Sequence, residues 1–218
     1  MNSEPKAEKI KRAGRILDIL SIEFPGARSA LKYSNPLELL VSTILSAQAT
    51  DTLVNKVTGE LFRKYRTPGD YAGAEIEELE ADIGSVNFFR NKARNIKKCC
   101  ARLVDVFDSK VPSKLTELVS LPGVGRKTAN IVLGNAFGLP ALAVDTHVKR
   151  VSTRLGLTRS EKPDDIEQDL MLIIDKERWT LSTHLLILHG RKTCKARTPL
   201  CDGCPVNALC DYYKEPSL

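Results

Sequence analysis

A lysine set among glycines, and a run of closely spaced cysteines, are the two places where this sequence could do chemistry. The first is "SLPGVGRKTANIVLG" at 120–134, where Gly123 and Gly125 separate two segments of helical pattern and Lys127 follows. A P-loop needs its lysine directly after the last glycine, and Arg126 intervenes. A dinucleotide fingerprint needs a third glycine where Thr128 stands, and a preceding strand, whereas "KLTELVS" reads as helix. What remains is helix, hairpin, helix. Leu121 and Val124 can pin the hairpin to the core, while Gly123 and Gly125 permit φ > 0 and close backbone approach. The second helix begins near Arg126, so its unpaired N–H groups and positive dipole end point at the hairpin. That is an anion site suited to a nucleic-acid phosphate; the plainer reading is a tight αα corner with a glycine cap.

Side chains on a helix lean toward its N-terminus, which brings Lys127 back over that hairpin. The helix dipole and Arg126 both disfavour a second positive charge there, which favours a neutral amine. A neutral amine beside a sugar-phosphate can attack a sugar carbon and form a Schiff base. A lysine that only contacts a phosphate fits the same residues. In "LAVDTHVKR", Asp145 follows an apolar segment and opens a helix, which suits an N-cap. It equally suits a carboxylate that stabilises a cationic sugar transition state or assists proton transfer. His147, His184 and His189 show no ligand-like grouping, which leaves them core or surface roles.

The second place is "RKTCKARTPLCDGCPVNALC" at 191–210, where Cys194, Cys201, Cys204 and Cys210 are spaced C-x6-C-x2-C-x5-C. Thiolates this close can converge on one metal centre, and the polar stretch offers little core in which to bury them separately. Zinc sites usually pair two short knuckles, and only Cys201 and Cys204 make one. Ferredoxin spacing is tighter than this, so spacing alone leaves zinc and [4Fe-4S] both open. Arg191, Lys195 and Arg197 flank or enter the first gap, as phosphate contacts on a metal-braced loop or as a solvated basic loop. Cys99 and Cys100 are adjacent in a helical stripe, where neighbours face apart, so they read as core.

The elements that must position these groups are helices. Apolar residues recur at three- and four-residue spacing, as in Ile10, Ala13, Leu17, Leu20 and Phe24, and period-two strands are nearly absent. Asn35-Pro36, Ser113 and Pro163-Asp164-Asp165 mark helix starts. The pattern predicts an all-α protein of about ten helices. No repeat or linker marks a domain boundary. With 33 Lys and Arg against 27 Asp and Glu, the net charge of +6 favours a polyanionic partner. The N-terminus lacks the apolar region of a secretory signal, and no apolar run approaches a membrane span. An intracellular protein with reduced thiols is expected, without membrane association.

Together these features resemble endonuclease III, the bifunctional DNA glycosylase family of base-excision repair. The resemblance rests on "ILSAQATD" at 44–51, "LPGVGRKTAN" at 121–130, "VDTHVKR" at 144–150 and the cysteine tail, in family order across most of the chain. It implies a two-domain all-α protein with a cleft between the domains. One would be a six-helix barrel over 29–139, with the helix–hairpin–helix at about 115–137. The other would be a discontinuous iron–sulfur domain from 1–28 and 140–218, holding [4Fe-4S] rather than zinc on loop 194–210. It makes Lys127 the nucleophile and Asp145 the essential aspartate. The partner implied is double-stranded DNA carrying damaged pyrimidines or abasic sites, bound by a monomer in a prokaryotic cytoplasm at the nucleoid. Gln48 matches a glutamine that fills the gap left by the extruded base. Where the family pattern has an "IGLYNSKA"-like segment, this chain has "IGSVNFFRNKA", and aligning on "NKA" puts Phe88 at the apolar wedge position; a core aromatic is the other reading. Mismatch glycosylases that use water as nucleophile share the hairpin, aspartate and cluster but match less well at the lysine. A non-catalytic DNA-binding module with a redox-sensing cluster is the remaining alternative.

Overall fold

The computed structural model describes residues 4–214, and every regular element among them is helical. Among the described residues there are twelve α-helices: α1 Lys6–Glu23, α2 Pro36–Ser46, α3 Asp51–Lys64, α4 Pro68–Gly73, α5 Ile76–Asp82, α6 Phe89–Val106, α7 Leu115–Leu118, α8 Arg126–Ala136, α9 Thr146–Arg154, α10 Pro163–Met171, α11 Trp179–Lys192 and α12 Asp211–Lys214. They fall into two compact units, one spanning Ser29–Leu139, the other combining the chain up to Arg28 with the chain from Pro140 onward.

The Ser29–Leu139 unit is built around α2. Its sequence PLELLVSTILS is buried from Leu39 through Leu45 without a break, as expected of a helix wrapped on all sides. It packs on α3, α6 and α8, while α6 also carries α4 and α5. Asn35 starts α2 as expected, its side chain accepting the Glu38 N–H at 3.0 Å, with Pro36 in the first turn. The helix expected after Ser113 is only one turn long, and it follows Lys114 without a side-chain cap. Pro122 explains its brevity: the residue before a proline is pushed out of helical geometry, so the chain turns at Leu121.

The other unit packs α9 on α11 and α1 on α11 over a core that includes Ile16, Leu17, Leu20, Val148, Val151, Leu185 and Leu186. Gly190 allows the close crossing of α9 and α11, since a Cβ there would lie 3.1 Å from His147 Cβ and Val151 Cγ2. α10 begins at Pro163 as its start signal predicts. α9 ends in a Schellman motif: Leu157 N–H donates to Ser152 O and Gly156 N–H to Thr153 O, with Gly156 at φ 72. Cys99 and Cys100 are buried in α6, where burial pushes the Cys99 thiol up to about 12 and Cys100 higher still, so neither is reactive.

Candidate functional site

The hairpin is a tight turn in which Val124 N–H donates to Leu121 O at 3.1 Å. Pro122 and Gly123 occupy its two central positions, and Gly123 has φ 77, the pattern of a type II turn. A Cβ on Gly123 would lie 2.8 Å from Asn95 Cβ, so glycine is needed for the conformation and for the approach to α6. Gly125 differs from expectation. Its φ is −87, and a Cβ there would meet nothing within 4 Å, so any need for glycine concerns what approaches from outside. Leu121 and Val124 are buried, at 2% and 6% exposure, so outside contacts fall to the backbone of this turn and the half-buried Pro122 ring. Gly125 is the N-cap of α8, and no side chain caps that end. Arg126 and Lys127 form its first turn; Arg126 is half-buried and Lys127 exposed.

Asp145 belongs to the other unit and is the N-cap of α9. Its Oδ1 accepts the Val148 N–H at 2.7 Å, so the cap anticipated as the plain reading is present. The side chain is half-buried behind the buried run from Ala141 to Val144. A cap of this kind holds a carboxylate at a fixed angle, which also serves a carboxylate with chemistry to do.

Gln48 and Phe88 sit on two loops of the Ser29–Leu139 unit, after α2 and before α6. Both are exposed, Phe88 to 60%, which removes the core-aromatic reading. Both have left-handed backbones, with φ 55 and φ 59. Such a conformation costs a non-glycine residue about 1–3 kcal/mol and persists where neighbours impose it. The structure brings the loops together: Asn87 Nδ2 donates to Gln48 O at 3.0 Å.

In the other unit Cys194, Cys201, Cys204 and Cys210 line one cavity, together with His189, Arg154 and Tyr212. Among the described residues no three His, Cys, Asp or Glu side chains form a site for a single ion. Four thiols gathered around one cavity suit a four-thiolate cluster. Burial pushes the Cys204 and Cys210 thiols up, so bound iron is what would keep them deprotonated. His189 Nε2 lies 3.7 Å from Cys204 Sγ, and its buried Nδ1 has no partner. Burial also pushes His189 down to about 4, so the ring is neutral and carries one proton; on Nε2, that proton points at the sulfur.

The loop backbone hangs on arginines. Arg12 Nη1 donates to Leu155 O at 2.5 Å and Leu209 O at 2.9 Å, while Glu4 holds its other edge. Arg150 Nε donates to Cys194 O; Arg154 donates to Lys195 O and Ala196 O and stacks on Tyr212. Lys195 and Arg197, whose backbones are thus tied or adjacent to ties, leave their side chains exposed, as does Arg191 at the end of α11. Arg150 and Arg154 share one face of α9 at helical spacing, a signal present in the sequence. Nothing local marks Arg12 or His189 for these roles.

A family model for HhH-GPD superfamily base excision DNA repair proteins matches residues 41–176, and one for the iron–sulfur binding domain of endonuclease III matches 194–210. Endonuclease III of Bacillus subtilis is 48% identical over 202 residues, covering 92% of this chain and 92% of its own. The chain belongs to the endonuclease III family. Endonuclease III of a Synechocystis species is 50% identical over 205 residues, covering 94% of each chain. The structure of a trapped endonuclease III–DNA covalent intermediate matches with a TM-score of 0.90 at 51% identity, covering 95% of this chain and 98% of that one. A thermostable thymine-DNA glycosylase, 23% identical, shares the fold with a TM-score of 0.83. As a member of this family, the chain is an enzyme of base-excision DNA repair, and its cofactor is a [4Fe-4S] cluster.

Proposed function

We propose that this chain removes oxidised pyrimidines from duplex DNA and cleaves the abasic site by β-elimination, with Lys127 as nucleophile. The observation that carries this is the exposed Lys127 in the first turn of α8, beside a helix N-terminus that no side chain caps. The N-terminus of α8 is suited to hold a DNA phosphate there, because the helix dipole adds to backbone N–H groups at an end that no side chain caps. The trapped covalent complex of a 51% identical endonuclease III with DNA supports a reaction that passes through a covalent enzyme–DNA intermediate.

The Lys127 Nζ lone pair attacks C1′ of the deoxyribose, and the glycosidic bond breaks with its electron pair going to the base, which takes up a proton. Ring opening then gives a protonated imine. Loss of a C2′ proton expels the 3′-phosphate, and water hydrolyses the imine to restore the lysine. Asp145, which matches the family's essential aspartate, is assigned the carboxylate role of stabilising a cationic sugar and moving protons. The Val148 N–H on Oδ1 keeps that carboxylate oriented. A base inside a duplex must leave the stack first. Phe88 serves as the wedge and Gln48 faces the base left behind, both being exposed on joined loops. Cys194, Cys201, Cys204 and Cys210 hold the [4Fe-4S] cluster, which braces the loop that presents Lys195 and Arg197 to the phosphate backbone, with Arg191 alongside. A protein that repairs chromosomal DNA in a prokaryotic cell acts at the nucleoid.

Borohydride reduction on duplex containing thymine glycol tests the reading. Wild type should give a covalent enzyme–DNA adduct, and Lys127→Ala should give none while still binding the duplex. Excision by wild type with no adduct would transfer the reading to a water-using glycosylase. Binding without excision would leave a DNA-binding module.

A further inference from the structure

Gln48 and Phe88 belong to loops 40 residues apart, yet one residue touches the roots of both. Lys92 lies in the first turn of α6, and its backbone N–H donates to Phe88 O at 3.1 Å. Its ammonium crosses to the end of α2, where Nζ donates to Leu45 O at 2.8 Å and to Ala47 O at 2.6 Å. Ala47 is the C-cap of α2 and immediately precedes Gln48. Lys92 is only 6% exposed, a rare site for a lysine unless its charge has a fixed task. Part of that task is plain, since a cation at a helix C-terminus satisfies carbonyls that have no helical partner. The second link is Asn87, whose Nδ2 donates to Gln48 O at 3.0 Å and whose own backbone leads into the left-handed Phe88. Three side-chain hydrogen bonds therefore bind the carbonyls of residues 45, 47 and 48 to the segment 87–92.

We propose that Asn87 and Lys92 are positioning residues that lock Gln48 and Phe88 into one two-pronged tool, so that both side chains enter the opened base stack together. This rests on the glycosylase reading above. The physical need is one of spacing. Adjacent base pairs are separated by about 3.4 Å, so a wedge and a gap-filling amide that shifted independently by an ångström would lose simultaneous fit. Two residues with left-handed backbones, each exposed and each free to relax if released, hold their places because the carbonyls between them are tied. Neither Asn87 nor Lys92 acts on the sugar, so their loss should impair opening of the duplex and spare chemistry on DNA that needs no opening.

The test uses the full-length, cluster-loaded protein with Asn87→Ala and, separately, Lys92→Met, which keeps the length of the side chain and removes its charge. Stopped-flow fluorescence of 2-aminopurine next to a thymine glycol reports base extrusion, single-turnover excision on the same duplex reports the outcome, and β-elimination on a single-stranded abasic oligonucleotide reports the chemistry alone. Both variants should lose the fluorescence rise and slow duplex excision by roughly ten- to a hundredfold, with single-strand β-elimination within about twofold of wild type. In a Gln48→Ala background, Asn87→Ala should cost little more, since it acts through that loop. Equal losses on duplex and single strand, or unchanged extrusion in both variants, overturn the proposal. So does a full additional loss in the Gln48→Ala background. Because Lys92 is buried, Lys92→Met could fail to fold, and the exposed Asn87→Ala then decides alone. A wild type that neither excises nor forms an adduct points instead to failure of the glycosylase reading.

Discussion

The hairpin at 121–125 and the loop at 194–210 are both irregular backbone presented for contact, and they are held by opposite means. The hairpin holds itself. Leu121 and Val124 are buried, the turn closes on its own hydrogen bond, and Gly123 packs against Asn95. The cysteine loop has Val206 as its one fully buried apolar anchor among the described residues, and it is hung from outside by Arg12, Arg150 and Arg154. A site built on local turn chemistry is complete once its chain segment folds. A site built on thiols and long cationic side chains is complete only with its cofactor and its distant donors.

Removing the cofactor should break the comparison most sharply. Stripping iron from the protein, or making Cys204→Ala, should abolish visible absorbance and open the 194–210 loop to protease, with a stability loss above ~3 kcal/mol because metal binding there is folding energy. Limited proteolysis with mass spectrometry is the readout, and a loop that stays protected without iron would sink the idea that it depends on the cluster. Arg12→Ala comes next. It strips donors from the carbonyls of Leu155 and Leu209 and leaves Glu4 unpaired, and it should cost ~2–4 kcal/mol in chemical denaturation, with the cluster lost faster in chelator.

Within the hairpin, two glycines should separate cleanly. Gly123→Ala meets both a left-handed backbone and Asn95, and should lower stability by ~1–3 kcal/mol. Gly125→Ala meets neither and loses only a favourable N-cap residue, so it should cost less than ~1 kcal/mol, yet weaken duplex binding, because its methyl takes space beside the helix N-terminus. Thermal melts and salt-dependent binding measure the pair; equal stability losses would refute the distinction. The smallest effect concerns pH. The hydrogen bond from Arg12 holds the Glu4 carboxyl below the usual range. Its contribution is therefore full above the unfolded pKa near 4 and fades as pH falls through the lower folded value. Cluster retention should follow that decline in wild type, by less than ~1 kcal/mol, and Glu4→Gln should flatten it.

Much of the site could be read in the chain because its signals are local. Asn35-Pro36 and Pro163 start helices by capping and by the fixed φ of proline, and both do so here. The glycine hairpin before Lys127 places that lysine in a first helical turn for the same kind of reason. Where local signals competed, the reading slipped: Ser113 promised a helix that Pro122 cut to one turn, and Gly125 needed no unusual φ.

By itself the sequence determined the residue types and their spacing along the chain: a lysine one step inside an uncapped helix, an aspartate at a helix start, and four thiols within seventeen residues. Those depend on interactions a few residues long, which sequence order contains directly. Only the tertiary structure decided which distant groups complete them. Arg12 reaches Leu209 across 197 positions, His189 faces Cys204, and Lys92 reaches the carbonyls before Gln48 from 45 residues away. Each of these is a side chain meeting a backbone carbonyl or a sulfur far along the chain. Such acceptors occur at every position of a chain, so no pattern of residue types can mark which one will be met until the helices have packed.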